Sequence, residues 1–165
     1  MQMSIGIEYA FHSLFYMIDA PVGCTIGIKE LAKLNKLSET YLSKIFTKLR
    51  KAGIVRSVQG VKGGYELSKQ AKDISFWDVV EAIEGASYMF QCAEIRQNNI
   101  LSETNSNPSD CPCLIKVVMQ NAENEMRNYL KSKSLGWLHS EVYKGFSDEK
   151  KLAISNWLDG ATNKM

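Results

Sequence analysis

The run Ser38-Glu-Thr-Tyr-Leu-Ser-Lys-Ile-Phe-Thr-Lys-Leu-Arg-Lys-Ala-Gly53, continued by Ile54-Val-Arg-Ser-Val-Gln-Gly-Val-Lys-Gly-Gly-Tyr-Glu-Leu67, governs the reading of the chain. Ser38 is a good N-cap, because its hydroxyl accepts from an N–H that the first helical turn leaves unpaired. Leu42, Ile45, Phe46 and Leu49 recur at i, i+3, i+4 and i+7, which makes one apolar stripe on a helix. Thr40, Tyr41, Ser43, Lys44, Thr47, Lys48 and Lys51 fall on its other face. Gly53 ends the helix as a residue free to take positive φ does. Two short β-prone runs follow, Ile54–Val58 and Tyr65–Leu67. The tip between them holds Gly60, Lys62, Gly63 and Gly64, and glycine leaves backbone N–H groups bare enough to approach a phosphate. A basic, polar-faced helix followed by a glycine-tipped hairpin reads as a recognition helix and its wing.

Upstream, Ser4–Asp19 reads as a first helix, with Ile7, Ala10, Phe11, Leu14, Phe15 and Ile18 on its apolar side. Glu8 and His12 are four apart and so project from one face of it. Pro21–Thr25 reads as a connector and Ile28–Leu34 as a short helix. Asn35–Leu37 then turns into the Ser38 helix, which completes a helix-turn-helix. Downstream, Ile74–Gly85 carries its own start and stop: Ser75 caps, Ile74 staples against Val79, and Gly85 terminates. Residues 98–110, rich in Asn, Ser, Thr and Pro, read as a loop. From Cys113 a long helix places Leu114, Val117, Val118, Ala122, Met126, Tyr129 and Leu130 on one side. Such a stripe suits packing against a second copy of the chain. Ser134–Val142 and Ser147–Leu158 read as two further short helices.

The expected architecture is mainly α with a small β wing. A winged helix-turn-helix DNA-binding domain spans 1–85, a ligand-bearing loop 86–112, and a dimerisation helix with C-terminal helices 113–165. No run of about 18 apolar residues exists to span a membrane and no leader is visible, so a cytoplasmic location is expected. The net charge of +2 hides an asymmetry: residues 1–70 hold ten Lys/Arg against five Asp/Glu, and residues 71–165 ten against thirteen. The positive excess sits with the helix and hairpin, where phosphate binding needs it. In a cytoplasmic chain, Cys24, Cys92, Cys111 and Cys113 argue for metal, cluster or thiol chemistry rather than structural disulfides. Cys24 reads as a small packing residue.

Several stretches resemble the BadM/Rrf-type winged-helix transcription regulators, an IscR/NsrR/RsrR-like family. They are Tyr41-Leu42-Ser43-Lys44-Ile45, the Leu49 to Val55 link, Ser57-Val58-Gln59-Gly60 with Gly63-Gly64-Tyr65-Glu66-Leu67, and Asp78-Val79 with Ala82-Ile83-Glu84-Gly85. The likeness covers about residues 1–138. Gly6-Ile7-Glu8-Tyr9-Ala10-Phe11-His12 and Cys92-Ala93-Glu94-Ile95-Arg96-Gln97 are most similar to the RsrR-like branch. That resemblance implies a homodimer holding a [2Fe–2S] cluster through Glu8, His12, Cys92 and Cys113, drawn from two subunits. Cys111, which sits in a matching Cys-Pro context, is the alternative to Cys113. The start of a helix favours a thiolate at Cys113. Replacing two thiolates by imidazole and carboxylate raises the potential of such a cluster, and histidine adds a group that titrates near neutrality.

The function implied is a transcription regulator, most simply a repressor, on a pseudo-palindromic double-stranded operator, with one recognition helix per half-site. Tyr41, Ser43 and Lys44 are candidates for base edges. Ser38, Thr40, Lys48 and Lys51 are candidates for the phosphate side, and Gln59, Gly60, Lys62 and Gly63 for the wing contact. Gln59 stands where many relatives carry an arginine, which implies a different operator preference or a weaker wing readout. Three alternatives stay open. One is the same fold without a cluster, responding through thiols or a partner protein. Another is a [4Fe–4S] nitric-oxide sensor using Cys92, Cys111 and Cys113 with Glu8. The third is a metal-dependent enzyme with Glu8 as general base, but the chain offers it no glycine-rich phosphate loop and no HExxH pair.

Overall fold

The computed structural model describes residues 3–60, 63–85, 88–95 and 113–164. The elements run α1 (Ile5–Met17), β1 (Cys24–Ile26), α2 (Ile28–Asn35), α3 (Glu39–Lys51), β2 (Val55–Val58), β3 (Gly64–Leu67), a 3-10 turn (Ala71–Asp73), α4 (Phe76–Glu84), α5 (Leu114–Lys131), α6 (Leu135–Lys144), α7 (Asp148–Ala161) and β4 (Thr162–Lys164). The fold is mostly helical with a small antiparallel sheet. No helix among the described residues is long and apolar enough to cross a membrane.

The helix-turn-helix forms as its sequence dictates. Lys36 closes α2 at φ +54, and the Leu37 N–H returns to the Ala32 carbonyl at 2.8 Å, so α3 leaves at an angle to α2. The Ser38 hydroxyl accepts from Tyr41 N–H at 3.4 Å, and all four stripe residues, Leu42, Ile45, Phe46 and Leu49, are buried. Gly53 takes φ +70 just after the helix, a value that strains a residue with a Cβ. On α4, Ser75 and Asp78 form a reciprocal capping box, the carboxylate accepting from Ser75 N–H at 2.7 Å.

The sheet is larger than a wing alone. β2 and β3 pair antiparallel from Val55↔Leu67 to Val58↔Gly64, as the hairpin reading requires. The order, however, is β2-β3-β1-β4. The segment read as a connector at Pro21–Thr25 therefore contains most of a buried strand, β1, and β4 pairs on β1's outer edge, with Cys24 opposite Lys164. Gly64 is obligatory here, because a Cβ on it would sit 2.7 Å from the Ile26 carbonyl oxygen where β3 crosses β1. Cys24 is buried in β1, the packing role expected of it.

One apolar core serves the whole described chain. Leu14, Ile26, Leu31, Phe46 and Trp77 share it with Leu135 of α6 and with Ile154, Leu158 and Ala161 of α7. A backbone bond from Leu135 N–H to the Ile74 carbonyl (2.9 Å) and another from Phe76 N–H to the Lys133 carbonyl (2.8 Å) tie the α5–α6 corner to α4. Asp19, just past α1, accepts from the Tyr143 hydroxyl of α6, whose ring stacks on His139 at 4.1 Å. Burial first, then the bond to Asp19, pushes the Tyr143 phenol well above its ordinary pKa. The expected stripe of α5 divides: Val117, Met126 and Leu130 are half-buried, with Met126 and Leu130 against the core. Leu114, Val118, Ala122 and Tyr129 face outward.

Candidate nucleic-acid interface and metal-ligand face

The outer face of α3 presents Thr40, Lys44, Lys48 and Lys51 to solvent, with Ser43 half-buried and Tyr41 39% exposed. Arg50, in the last turn, is exposed as well and extends the basic end of the helix. Sequence reasoning misses it, although its place one residue from Lys51 is an available signal. Two of the expected DNA contacts have other engagements. The Lys48 ammonium donates to the Ile83 carbonyl at 2.7 Å, where it caps the C-terminal end of α4. Tyr41 meets Tyr9 of α1 edge-on at 5.8 Å, and its hydroxyl closes over Gly6. Lys44, the expected phosphate or base contact, stands exposed in the middle of the helix.

At the wing, Gln59 and Gly60 are exposed and the Gly63 N–H returns to the Gly60 carbonyl at 2.9 Å. Lys62 lies outside the described residues. Arg56 and Glu66 face each other across β2 and β3, Nε to carboxylate 2.8 Å, so that pair neutralises itself.

The second cluster of expected residues divides between two places. Glu8 and His12 come together on α1: carboxylate oxygen and Nε2 are 4.0 Å apart and both side chains are more than 60% exposed. At that distance and exposure the pair contributes little to stability, so both donors remain available to a ligand. They line a cleft of about 450 Å³ whose other walls are mostly aromatic and aliphatic, among them Phe11, Phe15, Phe76 and Phe146, with Lys150 as a further charged residue.

Cys92 and Cys113 belong elsewhere. Cys113 is the N-cap residue of α5. The 88–95 segment runs along α5 toward that end. Met89 N–H donates to Glu123 at 3.1 Å, and Glu94 meets Lys116, one turn into the helix, at 3.9 Å. Cys111 lies outside the described residues, as do 86–87 and 96–112 of the expected ligand loop. Among the described residues, no three His, Cys, Asp or Glu side chains of one subunit gather so as to hold a metal ion. The donor types present (two thiols on one surface, carboxylate and imidazole on another) are chemically suited to an iron–sulfur cluster shared between surfaces.

The family description Rrf2, iron-dependent transcriptional regulator, matches residues 3–141. The chain belongs to the Rrf2 family of transcription regulators. Among relatives of this Rrf2 protein, YffB of Lactococcus lactis, described as an HTH-type transcriptional regulator, is 34% identical over 86% of this chain and 89% of its own. YwgB of Bacillus subtilis, described likewise, is 28% identical over 96% of this chain and 95% of its own. Two solved structures share the fold. IscR of T. potens has 21% identity over 90% of this chain and 93% of that one, with a TM-score of 0.64. The oxidised form of Staphylococcus aureus CymR has 27% identity over 90% and 99%, with a TM-score of 0.59. The Rrf2 match ends before α7 and β4, which nonetheless contribute to the shared core and sheet.

Proposed function

We propose that this Rrf2 protein is a homodimeric DNA-binding repressor whose affinity for a pseudo-palindromic operator is set by a [2Fe–2S] cluster. Glu8 and His12 of one subunit and Cys92 and Cys113 of the other would hold that cluster. The observation that carries the reading is the division of the donors between two surfaces. Acid and imidazole are paired and exposed on α1, whereas the cysteine segment is pinned along α5, so a second subunit is what supplies the missing half. The outward residues of α5 (Leu114, Ile115, Val118 and Met119) give that second subunit an apolar surface.

When bound, the group supplies a change of local charge on gaining or losing an electron. The chain's own residues carry the effect from there. α1 abuts the recognition helix directly, through Tyr9 and Gly6 against Tyr41. Its first turn is tied to the end of α4, where the Glu84 carboxylate accepts from Ser4 N–H at 3.0 Å and from the Ser4 hydroxyl at 2.6 Å. Lys48 joins that same end of α4 to α3. A displacement of α1 at Glu8 and His12 is therefore delivered to α3 at its first turn and near its end. Two recognition helices in successive major grooves read half-sites one helical turn apart, so a small change in their spacing changes affinity.

The test is the visible and EPR spectrum, with iron and sulfide content, of anaerobically isolated wild type beside His12→Ala, Cys111→Ser and Cys113→Ser. The expected result is a two-iron chromophore altered by His12→Ala, abolished by Cys113→Ser and kept by Cys111→Ser. Bleaching by Cys111→Ser alone transfers the ligand role to Cys111, and a four-iron count selects the other cluster. The likeness to an oxidised form of CymR favours one second reading, a cluster-free regulator that responds by thiol oxidation. Colourless, iron-free protein whose DNA affinity changes with thiol oxidation selects it.

A further inference from the structure

α5 buries one charged pair that the proposed function does not use. Glu123 is 3% exposed, and the Arg127 side chain one turn later is 19% exposed. The guanidinium holds the carboxylate with two nitrogens, Nε at 3.0 Å and Nη2 as a second donor. It also lies over two rings, 4.5 Å from the centre of Trp77 and 5.4 Å from that of Tyr88. The other carboxylate oxygen of Glu123 accepts from Met89 N–H. Three elements therefore meet on one ion pair: α4 through Trp77, α5 through Glu123 and Arg127, and the cysteine segment through Tyr88 and Met89.

Charges this far from water persist only when paired and hydrogen-bonded, and the geometry meets that condition. An aliphatic contact would serve packing equally well. A planar guanidinium adds a directional hold: it lies over the faces of two rings and presents its edge to the carboxylate. Tyr88 is itself 67% exposed, so the segment rests on this hold and on the Glu94–Lys116 pair rather than on burial in the core. Trp77 in turn belongs to the helix whose end is capped by Lys48 of α3.

We infer that Arg127 is a positioning residue: with Glu123 it clamps the Cys92 segment to α4, so that a chemical change at Cys92 is felt at Trp77 and passed on to the recognition helix. The inference rests on the proposed function only in taking Cys92 as a site of chemistry. Its experiment needs neither cluster nor operator, so the two fail separately.

The experiment compares wild type with Arg127→Met for alkylation by iodoacetamide, followed peptide by peptide in the mass spectrometer. Cys92 is half-buried and its modification reports release of the segment. Cys24, buried in β1, reports global unfolding. The expected result is at least about a tenfold faster reaction at Cys92 with no change at Cys24: about tenfold is the scale of one partly desolvated cation–π interaction, and Arg127→Met removes two together with the ion pair. A parallel rise at Cys24, or no rise at Cys92, overturns the inference. A second readout uses a Trp137→Phe, Trp157→Phe background in which Trp77 alone emits. Alkylating Cys92 is expected to shift the Trp77 emission when Arg127 is present and leave it unmoved in Arg127→Met; an equal shift in both overturns the coupling. Should Arg127→Met not fold, Tyr88→Leu removes only an exposed face of the clamp. It is expected to free Cys92 in the same way, and failure to do so refutes the claim.

Discussion

Val118→Asp tests whether the outward face of α5 is a subunit seam. Leu114, Ile115, Val118 and Met119 are 72, 67, 63 and 44% exposed, an apolar surface that costs free energy to leave in water. Fully burying such a side chain is worth about 1.5–3 kcal/mol, so covering these partly exposed ones yields about 5 kcal/mol per subunit. A two-fold interface counts that twice, about 10 kcal/mol as an upper bound, against an association cost of about 4–15 kcal/mol. The margin is narrow and one charge upsets it. Val118→Asp removes about 1 kcal/mol of burial per subunit and adds a carboxylate whose desolvation costs several more. Because symmetry repeats the change, the dimer is expected to weaken by about 4 kcal/mol or more, a factor of about a thousand in Kd. Sedimentation velocity over a wide concentration range measures it. Val118→Thr, which keeps the shape and adds only a hydroxyl, is expected to cost about 1–3 kcal/mol per buried group. If Val118→Asp sediments as wild type does at every concentration, the seam lies elsewhere and the shared-cluster reading loses its second subunit.

Other substitutions separate roles within the DNA-binding half. Lys44→Met should lower the slope of log affinity against log salt by about 0.9 per subunit on a duplex operator, because each subunit then neutralises one phosphate fewer; a salt titration reads it. Lys48→Met should leave most of that slope intact and instead cost about 1 kcal/mol in urea unfolding, since the bond it removes is to the Ile83 carbonyl. Ser75→Ala should cost about 1 kcal/mol in the same assay by opening the capping box. Glu84 is held below the ordinary carboxylate range, chiefly by the Ser4 side-chain hydrogen bond and then by the Ser4 N–H. A lowered folded pKa means the stabilisation is present above the unfolded pKa and fades as pH falls through the folded one. Ser4→Ala should therefore flatten the acid limb of the stability–pH curve, modestly because the group is exposed.

The parts of this fold that were legible in sequence are those whose cause is local. The stripe Leu42, Ile45, Phe46 and Leu49, the caps at Ser38 and Ser75, and the stop at Gly53 each depend on residues within one or two turns. β1 and β4 depend on each other across the whole chain, Cys24 with Lys164, and each is too short to show alternation. All three residues of β1 are buried, so period two is erased there. The spacing of Glu8 and His12 predicts their shared face on α1, whereas their reading as ligands comes from the family resemblance and not from spacing. The tie of Lys48 to Ile83, 35 residues away, was not legible, because a lysine on a recognition helix looks the same whether it faces phosphate or a carbonyl. Glu123 and Arg127 carry the ordinary i, i+4 signature of a surface pair; only Trp77 and Tyr88, distant in sequence, make it a buried one.

The position of α1 explains why a regulatory signal placed there, as the proposed function has it, would be effective. Its inner side, with Ala10 and Leu14 fully buried, belongs to the core, so the helix moves as a body with its neighbours rather than sliding freely. Its first turn touches the start of the recognition helix at Tyr41 and holds the end of α4 through Ser4 and Glu84. Its outer side bears a pair of donors, Glu8 and His12, that the core does not require. A ligand gripping that outer side from a neighbouring subunit therefore acts on the same rigid element that supports the DNA-reading surface. Had the pair stood on α7 instead, the route to α3 would have run through the core, where displacements are resisted by close packing. Under the proposed function, the site would need a second chain for its chemistry, and the recognition helices would need the same second chain for their spacing. One interface serves both requirements.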